Sequence, residues 1–186
     1  MPELRSFLKP DVPRDIAVQI ASYVRVQWPA FIGRRTPLWE GMPYPNHCLH
    51  FVLSDEDVLI SHAIVASREI EHAGEKYNVS GLSSVFCYPT HRGKGFGEQV
   101  VTAGTEHIRA SHDVDFALLF CGERVRSLYE RVGWELIAAP RIYFGEKANP
   151  KLFNDGFVMG IFLSDKGRAI RPVIEQEPVY VGAHTW

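Results

Sequence analysis

VFCYPTHRGKGFGEQVV, residues 85–101, decides the reading. It opens as the end of an apolar strand and closes as the start of a helical stripe. Between the two, HRGKGFG (91–97) places three glycines and the cations Arg92 and Lys94 within seven residues. Glycines cost conformational entropy on folding, so such a run needs a reason. Where a strand gives way to a helix, the first helical N–H groups point outward and the macrodipole adds positive potential. Gly93, Gly95 and Gly97 permit positive φ and carry no side chain, so main-chain amides can wrap an anion closely. The stretch predicts a phosphate or pyrophosphate cradle built from Arg92, Gly93, Lys94, Gly95, Phe96 and Gly97.

Two familiar cradles do not fit. A Walker loop needs Gly-Lys-Ser/Thr, and Lys94 is followed by Gly95. A dinucleotide fold needs GxGxxG inside a βαβ unit. The spacing here is GxGxG, and the preceding strand closes an antiparallel series.

That series is read outward from the loop. Upstream, HCLHFVL (47–53) and VLISHAIVAS (58–67) flank the acidic turn SDED and form a hairpin. Ala73 and Gly74 mark the next turn, and EKYNVSGLSSVFCY (75–88) is a third long strand. Its apolar positions slip phase, since Leu82 and Val85 are three apart where a regular strand needs an even step. A bulge around Ser83 and Ser84 accounts for the slip, and would splay this strand from its neighbour. At the start, ELRSFLK (3–9) reads as a strand. Asp11 and Pro13 then open a helix with Ile16, Ile20, Tyr23 and Val24 on one face, ending near Trp28 before Pro29. Residues 29–46, rich in Pro and Gly and carrying Trp39 and Tyr44, read as an irregular substrate loop.

Downstream, Phe96, Val100, Val101, Gly104 and Ile108 make a helical stripe. DFALLFC (115–121) is the continuous apolar run of a strand buried on both faces. Val125, Leu128, Tyr129 and Val132 fall at helical spacing, with Gly133 as C-terminal cap. WELIAAPRIYF (134–144) and FVMGIFL (157–163) close the order as two strands, and a tail with two prolines runs from Ile170 to Trp186. The order predicts an α+β (mixed α/β) fold: a mostly antiparallel twisted sheet with helices on its faces. Length fits one domain over 1–186, with a core at 3–163 and an extension at 164–186.

Composition narrows the class. The chain is 46% apolar and 23% charged, with formal net charge −2, so no global basic field exists to hold nucleic acid. No apolar run reaches membrane-spanning length. Cys48, Cys87 and Cys121 form no CxxC pair, and an odd count fits buried thiols in a reducing, cytoplasmic setting. No HxH, HExxH or carboxylate cluster has metal spacing, and no metal is expected.

Arg92, Gly95 and Gly97 match R-x-x-G-x-G, and here the chain resembles the GNAT superfamily of acyl-CoA-dependent N-acetyltransferases. VFCYPTHRGKGFGEQVV is similar to that family's strand–loop–helix for coenzyme A. RVRSLYERVGWEL (124–136) is similar to its second motif, a helix with a tyrosine followed by Gly and an aromatic. The element order agrees over about residues 3–163. The resemblance implies acetyl-CoA (coenzyme A) as cosubstrate, its pantetheine amides paired with the backbone of Val85, Phe86 and Cys87 and its pyrophosphate on the loop amides. The same pairing follows physically if a bulge leaves those groups unpaired, because a ligand can then add to the strand edge. It also implies that Tyr129 donates a proton to the departing thiolate. A phenol with a reference pKa of about 10 stays protonated at neutral pH and can do so. The base is open: Ser84 stands where many relatives carry a carboxylate, and a serine can orient a water. His50, His62, Glu69 and Glu71 lie on neighbouring strands, and His62 shares strand phase with Ile60 and Ile64, which reads as a core histidine.

Within the superfamily, the chain most resembles aminoglycoside 2'-N-acetyltransferases, through VRSLYERVGW, the NDG of 154–156, and the terminal Trp186. That resemblance implies a terminal carboxylate, on Trp186, that helps bind a cationic sugar. The expected acceptor contacts are Ser83, Asp155 and Trp186, with Trp39 of the aromatic loop pointing to a substrate with a flat or apolar surface. A docked apolar tail end is the alternative for Trp186. Two departures count against an aminoglycoside: serine replaces the carboxylate on the bulged strand, and His184 stands where an acid is expected. The expected acceptor is therefore a primary amine of a small molecule, an amino sugar among the candidates. A non-catalytic acyl-CoA-binding module is the competing reading, and a homodimer is one open assembly.

Overall fold

Pro29 ends the first helix, and the reason is local: the residue before a proline is pushed out of the helical region. The computed structural model describes residues 1–29, 39–42 and 44–186. Helix α1 (Arg14–Gln27) closes on Trp28 at φ −132°, ψ 64°, whose N–H still reaches Val24 O. Residues 30–38 and 43 of the expected irregular loop lie outside the described residues.

The chain forms two compact units, residues 1–66 with 84–104 and residues 67–83 with 105–186. In the first, β1 (Glu3–Leu8) pairs antiparallel with β2 (Leu49–Asp55), from Glu3↔Ser54 to Leu8↔Leu49. β2 pairs antiparallel with the start of β3 (Val58–His72), with a register shift at Leu53/Ser54. The last residues of β4 (Glu75–Cys87) lie next in order. Helix α1 presents Ile16, Ala17, Ile20, Ala21 and Val24 to this sheet, where Val52, Leu59, Ile64 and Phe86 complete an apolar core. Two histidines sit in that core fully buried, His50 and His62, with His50 Nδ1 3.0 Å from His62 Nε2.

In the second unit the end of β3 turns into β4 through Ala73 (φ 52°) and Gly74 (φ 80°), a two-residue hairpin turn with both central residues left-handed. β4 then pairs parallel with β5 (Phe116–Cys121), from Val79↔Phe116 to Gly81↔Leu118. The register ends there, although β5 continues to Cys121. β9 (Phe157–Phe162) pairs antiparallel along all of β5, and the short β6 (Glu135–Leu136) pairs with β9. Among the described residues, helix α2 (Phe96–Ala110) begins in the first unit and ends in the second, and helices α3 (Glu123–Arg131) and α4 (Asp165–Gln176) lie in the second. The fold is mixed α/β with mostly antiparallel strands, as the element order predicts.

One expectation needs correction. WELIAAPRIYF is not one strand: Ala139 at φ 45° and Pro140 split it into β6 and β7 (Arg141–Phe144). β7 belongs to a separate three-stranded sheet with β8 (Lys151–Leu152) and β10 (Pro178–Tyr180). The tail, for which the sequence named only two prolines, carries a helix. Ser164 caps α4, accepting from Gly167 N at 2.9 Å and donating to Asp115 Oδ1 at 2.7 Å. Pro172 lies inside that helix, whose buried face is Gly167, Ile170 and Ile174. Gly167 must be glycine, since a Cβ there would fall 1.8 Å from Asp115 O.

The chain ends by docking. Trp186 is buried, its ring lies under the Arg68 guanidinium at 3.9 Å, and Arg68 Nη1 donates to Val181 O and His184 O. A Cβ on Gly81 would fall 1.8 Å from Trp186 Cγ. Gly81→Ala therefore overpacks this contact and costs about 1–3 kcal/mol of stability. In a Trp186→Ala background the same change costs far less, which a double-mutant cycle of urea unfolding reads directly.

Burial drives the His50 pKa down to about 2, assisted by His62 and Lys9, and drives His62 down to about 4 against the pull of its bond to Ser84 O. The native rings stay neutral where an unfolded histidine, with a pKa near 6.5, takes a proton. Below about pH 6.5 the unfolded state then binds more protons, so stability falls with acid. The unfolding free energy from urea titrations should drop steadily from pH 7 to pH 5, by up to about 1.4 kcal/mol per pH unit for each histidine. A flat profile over that range contradicts neutral burial.

Candidate active site

The expected bulge exists, and it is sharp. Ser84 has φ 48°, a left-handed conformation that a non-glycine residue adopts only under constraint. The constraint is visible. Ser84 O accepts from His62 Nδ1 at 3.0 Å, and Ser84 Oγ lies 2.6 Å from Tyr44 Oη. Beyond Ser84, Phe86 O accepts from Ser61 Oγ at 2.8 Å, and Tyr88 N donates to Ile60 O at 2.9 Å. Ser84, Phe86 and Tyr88 thus turn their main-chain groups toward β3. Alternation along a strand turns those of Val85 and Cys87 to the opposite edge. There Cys87 O is taken by Arg92 Nε at 3.1 Å, leaving Val85 N–H and C=O and Cys87 N–H aimed at that edge.

The loop follows at once. A single 3-10 turn over Pro89–His91 carries the chain out of β4, with His91 N bonded to Tyr88 O. Gly93 and Gly95 have φ 78° and 79°, and an added Cβ at either would meet open space. The glycines are there for backbone conformation and not for packing. Gly97 differs from expectation: it lies inside α2 with no positive φ, and its Cβ position is 3.9 Å from Cys87 Cβ. Gln99 N donates to Gly95 O, so the amides of the preceding residues lie in the first helical turn, where no earlier helical carbonyl exists for them. These amides, following two left-handed glycines, form a surface suited to an anion.

The two loop cations have different positions. Arg92 is braced, with Nη2 on Tyr23 Oη at 2.8 Å and Nε on Cys87 O. Tyr23 in turn stacks on Phe86 with centroids 4.2 Å apart, so Arg92 ties the loop to α1 and β4. Lys94 is exposed and, with His91, Phe96 and Asp55, lines an open cavity of about 530 Å³. Cys87 is half-exposed and not the buried thiol expected, while Cys48 and Cys121 are buried. Burial pushes the Cys87 thiol up despite nearby Arg92, so it is protonated at neutral pH.

Trp39 is half-buried and donates from Nε1 to Lys9 O at 3.3 Å, with its ring 5.0 Å from that of His50. Lys9 was not legible as functional in the sequence. It is buried and donates to Met42 O at 3.0 Å and Tyr44 O at 2.8 Å, so one cation organises the described end of the aromatic loop. Only the sequence Leu8-Lys9-Pro10, a charge at a strand end, could have hinted at it.

In the second unit Tyr129 lies on α3, buried near Cys121. Burial, and then the Cys121 thiol, push its phenol well above the ordinary range, so it is firmly protonated. Its backbone carbonyl accepts from Val132 N and Trp134 N, which fixes the end of α3, and Gly133 takes φ 86° as the expected cap. Cys121 is likewise pushed up by burial to about 11. Ser83 is half-buried. Asp155 is exposed beside Gly156, whose φ of 112° lets the turn pass Cys121 O. Trp186 is the docked tail end described above, its ring committed to Gly81 and Arg68.

A family model described as Acetyltransferase (GNAT) domain matches residues 14–137, well over half of the chain. No curated protein matched. Among solved structures, NAA60 of Arabidopsis thaliana in complex with a bisubstrate analogue is similar at TM-score 0.61 and 11% identity, covering 88% of this chain and 99% of that one. The GNAT family N-acetyltransferase YhbS of Escherichia coli, in complex with CoA, is similar at TM-score 0.57 and 16% identity, covering 98% and 89%. Glucosamine-6-phosphate N-acetyltransferase of Arabidopsis thaliana is similar at TM-score 0.51 and 14% identity, covering 72% and 90%. At such identities the structures speak for the fold alone, whereas the family model spans the kinked strand, the glycine loop and the tyrosine helix together. The chain belongs to the GNAT acetyltransferase family, and acetyl-CoA is its cosubstrate.

Proposed function

We propose that the protein transfers an acetyl group from acetyl-CoA to a primary amine of a small molecule. The carrying observation is the kinked end of β4 followed by the left-handed Gly93 and Gly95 and the first turn of α2. In this reading the loop amides from Arg92 to Gly97 hold the pyrophosphate. Val85 and Cys87 pair with the pantetheine amides as an added strand would. Lys94 supplies the mobile positive charge at the loop, and Arg92 keeps the loop's shape.

The amine nitrogen attacks the thioester carbonyl carbon, and the C–S bond breaks. Donors at the bulge stabilise the oxyanion that forms. The leaving thiolate takes a proton from Tyr129, whose burial keeps it protonated for that purpose. The ammonium proton of the acceptor leaves to a water oriented by Ser84, and that proton balances the one given by Tyr129. Ser84 is no base itself: its hydroxyl is paired with Tyr44, whose own phenol is held protonated by burial. Trp39, Ser83 and Asp155 are the proposed contacts to the acceptor, whereas the Trp186 ring is docked on Gly81 and Arg68. The NDG turn favours an amino sugar. The missing strand carboxylate disfavours a polycationic aminoglycoside.

Thiol release from acetyl-CoA across a panel of amines, amino sugars and aminoglycosides tests the reaction. Turnover with at least one amine is expected. Tyr129→Phe should lower kcat about 10- to 100-fold while calorimetric affinity for acetyl-CoA stays within about threefold. Full activity in that variant removes Tyr129 from the role. Tight acetyl-CoA binding with no turnover on any amine supports the non-catalytic module instead.

A further inference from the structure

The protons along the buried histidine pair can be assigned from geometry. Ser84 O is a carbonyl and can only accept, so His62 Nδ1, 3.0 Å away, carries a hydrogen. His62 is fully buried with no acid beside it, so the ring is neutral and Nε2 is a bare lone pair. His50 Nδ1, 3.0 Å from that lone pair, must therefore donate. His50 is equally buried and neutral, and its Nε2 has no partner among the described residues. Lys9 and Tyr44 are the titratable groups facing the pair from the elements packed on it. The result is a one-way chain, His50 Nδ1–H to His62 Nε2, then His62 Nδ1–H to Ser84 O. It ends on the one peptide of β4 held in a left-handed conformation.

We infer that His62 is a positioning residue for acetyl transfer, and that His50 fixes the tautomer in which it works. His62 Nδ1–H pins the Ser84 carbonyl toward β3. A carbonyl pinned on that side keeps Ser84 left-handed, and this turns Val85 N–H to the opposite edge and holds Ser84 Oγ on Tyr44. If the pin is removed, Ser84 can relax to ordinary extended backbone, which redirects both groups. The inference rests on the proposed reaction for its kinetic consequence but not for its geometry.

Three full-length chains test it: wild type, His62→Asn, which keeps a donor near the Nδ1 position, and His62→Phe, which keeps a flat ring and has none. With an amine that wild type acetylates, His62→Phe should lose about 100-fold in kcat, the scale of misplacing a reacting group by about 1 Å. Its KM for acetyl-CoA should rise as well, because the redirected Val85 N–H no longer meets the pantetheine, while the glycine loop still holds the pyrophosphate. His62→Asn should stay within about fivefold of wild type, a rescue that a mere packing role would not give. Equal losses in both variants, or full activity in His62→Phe, overturn the inference. Should His62→Phe fail to fold, nitrogen-15 spectra of wild type at pH 7 decide. Both rings should carry hydrogen on Nδ1 and none on Nε2, and a charged or Nε2-protonated His62 overturns the inference. A wild type that acetylates no amine defeats the proposed reaction, and the same spectra then judge the pinning separately.

Discussion

The bond from His62 to the Ser84 carbonyl is the constraint on which the site depends. A regular β4 would spend all its main-chain groups on neighbouring strands, with nothing left for a ligand. One residue held at φ 48° breaks the alternation, and the strand beyond it presents Val85 and Cys87 at an edge. Left-handed backbone at a serine is unfavourable by about 1–3 kcal/mol, so something must hold it. A neutral, fully buried imidazole with a fixed tautomer does so without bringing charge into the core. The Tyr44 hydroxyl on Ser84 Oγ adds a second hold from the aromatic loop, and Lys9 anchors that loop from the turn after β1.

The anion surface depends on the same strand. Arg92 links Cys87 O to Tyr23, and Tyr23 stacks on Phe86, so the loop is fixed to the strand it leaves. The glycines then need only supply conformations that L-residues avoid. Gly93 and Gly95 do this in open space, where nothing but backbone geometry or an approaching ligand demands glycine. Gly97 does not, and its place in the motif has a plainer cause: it lies against Cys87 in the first turn of α2.

Much of this was legible because it is local. The slip between Leu82 and Val85 located the bulge to within a residue, and Gly93 and Gly95 marked the loop. The apolar stripes gave α1, α2 and α3, and Gly133 gave the end of α3. What stayed hidden was either long-range or disguised. The helix around Pro172 was not read from the tail at all, and its buried face is set by Gly167, Ile170 and Ile174. Ala139 and Pro140 divided a stretch whose residue types all favour strand. His62 was legible as a core histidine by phase, but its role toward Ser84 was not, because the two are 22 positions apart. Lys9 was invisible for the same reason, and Trp186 declared itself only through the glycine opposite it.

Amide chemical shifts during a titration with acetyl-CoA test the central claim most directly. The account predicts that the N–H resonances of Val85, Cys87, Gly93, Gly95, Phe96 and Gly97 move together and saturate with one binding constant. Saturable binding that leaves these amides still would contradict it.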